Sequence, residues 1–125
     1  MDGGRRDLGR KAEEAACAWL RRRGWSLVQR NYRCREGEID IIARRGGLTA
    51  FCEVRARSAG CLVTPLESVG PGKQRRLVRA ARRWLQEMER RGVPCGECRF
   101  DVIAVIVDEG GLKVEHVEDA FLEVD

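Results

Sequence analysis

The chain has 125 residues, of which 43% are apolar, and carries 24 Lys and Arg against 20 Asp and Glu. This length suits one hydrophobic core, so residues 1–125 are expected to form a single domain. No stretch approaches the roughly 18 consecutive apolar residues of a membrane span, and the N-terminus lacks the apolar run of a signal peptide. These absences argue against membrane and secreted classes and predict a cytoplasmic protein.

The basic residues are concentrated in the first hundred positions. That part has 23 Lys and Arg against 12 Asp and Glu, whereas residues 101–125 have one Lys against eight acids. A basic body followed by an acidic end favours a polyanionic partner, nucleic acid before membrane. The alternative is that an arginine-rich surface, with 21 Arg among the 24 basic residues, simply solvates the fold.

The first predicted element is a helix with Asp7 as its N-terminal cap, running to about Arg23 and stopped by Gly24. Glu13 lies on the side of this helix that carries the apolar stripe, at the edge of the expected core. A partly buried carboxylate without a partner is costly. Glu13 is therefore expected to have a specific partner, and an arginine would suffice.

Residues 25–34 predict the first strand, and Arg30, Arg33 and Arg35 lie along it and just after it. Together with Tyr32 they could contact phosphates and stack on a base. Arginines on an edge strand also protect a sheet against aggregation, so this pattern alone does not require nucleic acid.

The next two segments, residues 37–43 and 48–55, predict a β-hairpin that turns at Gly46 and Gly47. That turn pairs residue 45 with 48 and residue 43 with 50. Because strand side chains alternate between faces, Ile39 is expected to share a face with Ile41.

The same register sets Asp40 opposite Glu53, with Arg55 on the same face. Two like charges in a cross-strand pair destabilise a sheet unless a cation compensates for them. Mg²⁺ is commonly held by one or two carboxylates together with waters and substrate phosphates. The alternative is a solvated hairpin face whose carboxylates are neutralised by arginines.

Residues 57–72 predict a loop that begins at Arg57 and could close over a nucleic-acid backbone. A helix from Lys73 to Arg91 follows. Lys73 falls on the core-facing stripe and in the first turn, where a cation is unfavourable against the helix dipole. A nearby anion is therefore expected, which would let Lys73 stabilise charge or transfer a proton at the site. The alternative is a solvated lysine at a helix start.

The last part predicts a central strand over residues 99–107, buried on both faces, a further strand over residues 112–117, and a short terminal helix over residues 118–122. His116, the only histidine, is expected to be structural and without a functional role. The element order α-β-β-β-α-β-β predicts an α/β sandwich with a mixed sheet.

Three motifs carry a resemblance: GEIDIIA at residues 37–43, FCEVRAR at 51–57 and RFDVIAV at 99–105. In order and spacing they resemble the YraN-like family of bacterial proteins, over about residues 8–122. The resemblance implies a restriction-endonuclease-like, three-layer α/β/α sandwich, similar to archaeal Holliday-junction resolvases.

The resemblance also implies a metal-dependent nuclease that hydrolyses phosphodiester bonds, with DNA favoured over RNA. The resemblance leaves open whether the substrate is branched or linear DNA and whether the protein forms a homodimer as resolvases do. Asp40 matches the first metal-binding Asp, Glu53 the acid of a Glu-x-Lys motif, and Glu13 a further ligand for one or two Mg²⁺ or Mn²⁺ ions, with the Val54 carbonyl beside them. Arg55 stands in place of the motif lysine. Since arginine stays protonated it cannot act as a general base, so the runner-up is a nucleic-acid-binding protein that has lost hydrolysis.

The six cysteines are expected to be thiols rather than disulfides in a cytoplasmic protein. Cys95 and Cys98 form a single Cys-x-x-Cys, which is half of a structural zinc site. Cys34 or Cys61 would have to complete it, and the spacing gives no reason to expect that.

Overall fold

The computed structural model describes the backbone of residues 2–121 and the side chains of residues 7–121. The elements follow the predicted order: α1 (Asp2–Arg22), β1 (Ser26–Cys34), β2 (Gly37–Arg45), β3 (Leu48–Ser58), α2 (Pro71–Arg90), β4 (Glu97–Asp108) and β5 (Gly111–Phe121). Within this described part, neither helix combines the length and the apolarity that a membrane crossing needs.

Asp7 is not the N-terminal cap of α1, because the helix already begins at Asp2. The Asp7 carboxylate instead pairs with Arg10, one turn further along the same helix. The predicted stop is confirmed: α1 ends at Arg22, and Gly24 follows with a φ of 85°, a conformation that glycine adopts without strain.

The five strands form one sheet in the order β1-β2-β3-β4-β5. All neighbouring strands are antiparallel except β3 and β4, which are parallel because α2 connects them. The turn at Gly46 and Gly47 gives the predicted register, with Arg45 paired to Leu48 and Ala43 to Ala50. A mixed sheet with one helix on each face is the predicted three-layer α/β/α sandwich.

Each face of the sheet buries its own hydrophobic core. The α1 side packs α1 residues such as Ala16 and Leu20 against Ile41, Cys52 and Ile103. On the α2 side, the face of α2 with Leu77, Val78, Ala81, Trp84 and Met88 packs against Ile42, Phe51, Phe100 and Val102. The central strands are therefore covered on both sides, which fixes the ends of β2 and β3 where the candidate site lies.

Strand β2 departs from regular alternation at Asp40. Ile41 packs in the α1-side core, but Ile39 packs in the α2-side core, so the prediction that these two isoleucines share a face is wrong. On the neighbouring strand, Asn31 has a φ of 54°, which marks a matching irregularity in β1. The chain switches faces between Ile39 and Ile41, and Asp40 lies at the switch.

The predicted terminal helix is also wrong for residues 118–121, while residue 122 lies outside the described residues. These residues extend β5. The register between β4 and β5 shifts between Phe100 and Val102, and Phe121 pairs with Phe100, with their rings stacked at a centroid distance of 5.1 Å. Burying this aromatic pair against the sheet outweighs the weak local helical preference of a short acidic segment.

Candidate active site

The regular pairing of β2 with β3 ends at Ile41 and Cys52, one step before the predicted Asp40–Glu53 pair. Beyond that point the hydrogen bond from β3 goes to the Asp40 side chain instead of to the main chain of β2. Its Oδ2 accepts a hydrogen bond from the Val54 backbone N–H at 2.8 Å. The two strands therefore diverge around Asp40, and this bond holds its carboxylate beside β3.

Glu53 is the second carboxylate of the site and is only 2% exposed. It follows Phe51 on the α2 side of β3 and pairs in register with Val102 of β4. Its Oε1 atom is buried and has no hydrogen-bond partner among the described residues. Leaving a buried charged oxygen without a partner is costly, so a proton or a cation is expected to satisfy it.

The pKa of Asp40 is raised from its ordinary value to about 7. Burial is the main cause, and the neighbouring negative charge of Glu53 adds to it, while the hydrogen bond from Val54 opposes it. Near neutral pH the Asp40 carboxyl is therefore only partly ionised.

Two basic side chains reach the other oxygen of Glu53. Lys73 Nζ, from the first turn of α2, lies 3.3 Å from Glu53 Oε2. Arg55 Nη1, two residues along β3, lies 3.5 Å from the same atom. The structure thus brings Asp40, Glu53, Arg55 and Lys73 into one cluster, in which both an arginine and a titratable amine contact the buried glutamate.

Glu13 lies on α1 with its side chain 16% exposed. Its Oε1 accepts hydrogen bonds from Arg30 Nε at 3.2 Å and from Asn31 Nδ2 at 2.8 Å. Among the described residues, no three His, Cys, Asp or Glu side chains come together as a metal-binding group. The structure therefore shows two carboxylates together and Glu13 paired with β1, and the assignment of Glu13 as a metal ligand stays a prediction.

The arginines predicted to bind nucleic acid lie in different places. Arg30 bridges Glu13 and Glu14 of α1, so its charge is already paired. Arg33 is highly exposed and contacts Glu38 across the β1–β2 hairpin. Arg35 is exposed in the turn of that hairpin.

Arg57 lies about four residues beyond Glu53 on β3, roughly 13 Å along the strand. Its Nη2 is 3.0 Å from Cys61 Sγ in the loop that follows. Tyr32 does not offer a stacking surface, because it is buried in the α2-side core and its hydroxyl donates to Glu87. The suggestion that Tyr32 stacks on a base is therefore wrong.

Sequence reasoning missed a second buried polar cluster around Asp101. Its carboxylate accepts two hydrogen bonds from Arg99, one from the Asp119 backbone N–H at 3.0 Å, and lies 2.7 Å from His116 Nε2. His116 Nδ1 accepts from the Trp19 indole at 3.3 Å. All these groups are mutually paired, which supports the structural role expected for His116.

Cys95 lies just before β4 and is half-buried. Cys98 is the second residue of β4 and is exposed. Their Sγ atoms face the backbone carbonyls of Val93 and Gly96. Among the described residues, neither cysteine belongs to a group of three His, Cys, Asp or Glu side chains that could hold a metal ion. Nothing in the geometry adds to the zinc hypothesis.

With a five-stranded mixed sheet and one helix on each face, the protein is an α/β/α sandwich whose acidic pair lies where β2 and β3 diverge. The chain belongs to UPF0102, an uncharacterised protein family, whose model matches residues 12–105. This is the YraN-like family that the three motifs resemble.

Relatives of the chain are UPF0102 proteins from several bacteria. A protein from Anaeromyxobacter dehalogenans is 44% identical over 118 residues, covering 94% of this chain and 86% of that protein. One from Prosthecochloris aestuarii is 43% identical and covers 92% of this chain and 93% of the relative. One from Nitrosococcus oceani is 41% identical and covers 93% of this chain and 92% of the relative.

Proposed function

We propose that the protein is a metal-dependent nuclease that hydrolyses phosphodiester bonds in DNA, branched DNA included. The observation that carries this proposal is the buried Glu53 Oε1, which lacks a hydrogen-bond partner within the described part of the chain and lies beside an Asp40 carboxyl whose pKa is raised. Such a pair fits a hard divalent cation, because Mg²⁺ and Mn²⁺ prefer carboxylate oxygens.

Asp40 and Glu53 would hold one or two Mg²⁺ or Mn²⁺ ions, with Glu13 as a further candidate ligand. When bound, the metal would supply charge neutralisation of the phosphate and a water of lowered pKa. Loading the site requires the proton on Asp40 to leave, so metal affinity should rise with pH up to and beyond about 7.

Lys73 and Arg55 have different chemistry at the same oxygen of Glu53. The Arg55 guanidinium stays charged, so it can stabilise negative charge on a phosphate but cannot take a proton. A lysine side chain, unlike an arginine, can also serve as a general acid or base. Lys73 is thus the candidate for the proton-handling role that the Glu-x-Lys lysine would have, and Arg55 for charge stabilisation.

A cleavage assay tests this proposal. The purified protein is incubated with labelled four-way junction, fork and linear duplex DNA in Mg²⁺, Mn²⁺ or EDTA. The wild type should cleave at least one substrate only with metal, and Asp40→Asn and Glu53→Gln should not. Glu89→Gln, an exposed acid near the far end of α2, is the matched control and should cleave like the wild type.

A second candidate function is nucleic-acid binding without hydrolysis. It is favoured by Arg55, which replaces the motif lysine and pairs with Glu53. In that case every substrate would be bound at low salt, and no metal would produce cleavage by the wild type. Cleavage that disappears in Asp40→Asn but not in Glu89→Gln would exclude it.

A further inference from the structure

An open groove lies beside the acidic pair, between the β1–β2 hairpin and the first turns of α2. It has a volume of about 310 Å³, and its charged lining residues are Arg33, Glu38, Lys73 and Arg76. Lys73 also contacts Glu53, so one end of the groove opens at the candidate active site.

The groove has three cations and one acid. Arg33 Nε lies 3.3 Å from Glu38 Oε2, and both side chains are largely exposed, at 76% and 46%. An exposed ion pair of this kind contributes little and exchanges partners readily. Arg33 can therefore leave Glu38 for a phosphate at small cost.

Arg76 is exposed and lies next to the first turn of α2. Its Nη1 is 3.9 Å from where a Cβ would stand on Gly72, so the guanidinium folds back towards the start of the helix. That first turn contains no acidic residue, and Gly70 provides no side-chain cap. Lys73 and Arg76 thus place two positive charges at the positive end of the helix dipole, where a bound anion would relieve the repulsion.

The two walls of the groove are in direct contact at its base. A Cβ added to Gly37 would lie 3.1 Å from the Arg76 carbonyl oxygen, which is tighter than ordinary packing. Glycine at this position lets the β1–β2 hairpin approach the backbone of α2. The backbone positions that carry Arg33 and Arg76 are therefore set by packed elements rather than by a loop.

We propose that this groove binds a backbone phosphate of the DNA strand adjacent to the phosphate at the acidic pair, with Arg76 and Arg33 as its ligands. This inference rests on the proposed function for its substrate and names a subsite that extends it. Glu38 opposes the bound phosphate and holds Arg33 while the groove is empty of DNA.

Fluorescence anisotropy of a labelled DNA duplex in EDTA tests the groove without cleavage. Arg76→Ala should weaken binding about tenfold at low salt and reduce the slope of log affinity against log salt by about 1. Arg90→Ala removes the same charge from an exposed position at the other end of α2 and should change affinity less than about twofold. Glu38→Gln should tighten binding about threefold, since it removes a repulsive charge near the phosphate.

Equal effects of Arg76→Ala and Arg90→Ala would overturn the proposal, because charge alone would then explain the loss. A Glu38→Gln variant that binds no more tightly would also overturn it, and this arm does not depend on how Arg76→Ala folds. If the wild type never cleaves DNA but these binding differences appear, the nuclease proposal fails and the groove stands. If the wild type cleaves and the differences are absent, the groove fails and the nuclease proposal stands.

Discussion

Replacing Asp40 by Asn should stabilise the metal-free protein. Glu53 is buried and Asp40 is half-buried, and Glu53 Oε1 has no hydrogen-bond partner among the described residues. An Asn side chain is neutral, its amide oxygen can accept the Val54 N–H, and its NH₂ can donate towards Glu53. The substitution therefore keeps the hydrogen bond and removes the repulsion.

The magnitude follows from the pKa of Asp40, which folding raises from an ordinary 3.8 to about 7. Each unit corresponds to about 1.4 kcal/mol, so the full effect is on the order of 4 kcal/mol. Between about pH 4 and pH 7 the folded state retains a proton that the unfolded chain has lost. Stability of the wild type therefore falls with rising pH across this window and levels off above it.

Urea unfolding in EDTA, measured at intervals from about pH 4 to pH 8, checks this prediction. The free energy of unfolding of the wild type should decline by a few kcal/mol, while that of Asp40→Asn should stay nearly level and exceed it at pH 8. Glu89→Gln controls for the loss of an acid on the surface. A wild type and an Asp40→Asn variant with parallel pH profiles would refute the reasoning.

Three further predictions concern other residues. Lys73→Ala should lower any metal-dependent cleavage at least tenfold, about 1.4 kcal/mol, with folding intact. If Lys73→Ala cleaves at the wild-type rate and Arg55→Ala does not, Arg55 and not Lys73 stabilises the charge during cleavage. Asp101→Asn should cost about 3–5 kcal/mol in urea unfolding at neutral pH by breaking a buried ion pair. Burial raises the pKa of Asp101, but the hydrogen bonds and charges of its partners, His116 first, lower this pKa overall. The loss of stability caused by Asp101→Asn should therefore become smaller as the pH falls below about 4. Gly96→Ala should destabilise by several kcal/mol more than Gly92→Ala in thermal melts, because both have positive φ but only the Gly96 Cβ would lie 2.1 Å from a backbone oxygen.

Much of the fold could be predicted from local signals. Glycines at the turn fixed the register of β2 and β3, and the period of apolar residues identified the buried face of α2. The same periodicity placed Lys73 on the side of α2 that faces the sheet, and in the structure its amine contacts Glu53. These features depend on neighbours within a few residues, which a sequence shows directly.

The remaining features depend on contacts between distant segments. The switch of β2 at Asp40 requires the Val54 N–H as a partner, and strict alternation could not show it. The strand at residues 118–121 is selected by packing of Phe121 on Phe100. Arg76 gave no local sign of facing the β1–β2 hairpin, since that groove exists only where Gly37 approaches α2.

Calorimetric titration of Mn²⁺ at about pH 6.5, where Asp40 with a pKa of about 7 is mostly protonated, tests the metal site most directly. We predict that the wild type binds Mn²⁺ with release of protons, detected as heats that vary with the ionisation enthalpy of the buffer, because the ion displaces the proton held by Asp40. Asp40→Asn should bind far more weakly, and Glu89→Gln should match the wild type. Equal Mn²⁺ binding by wild type and Asp40→Asn, or none by the wild type, would contradict the account.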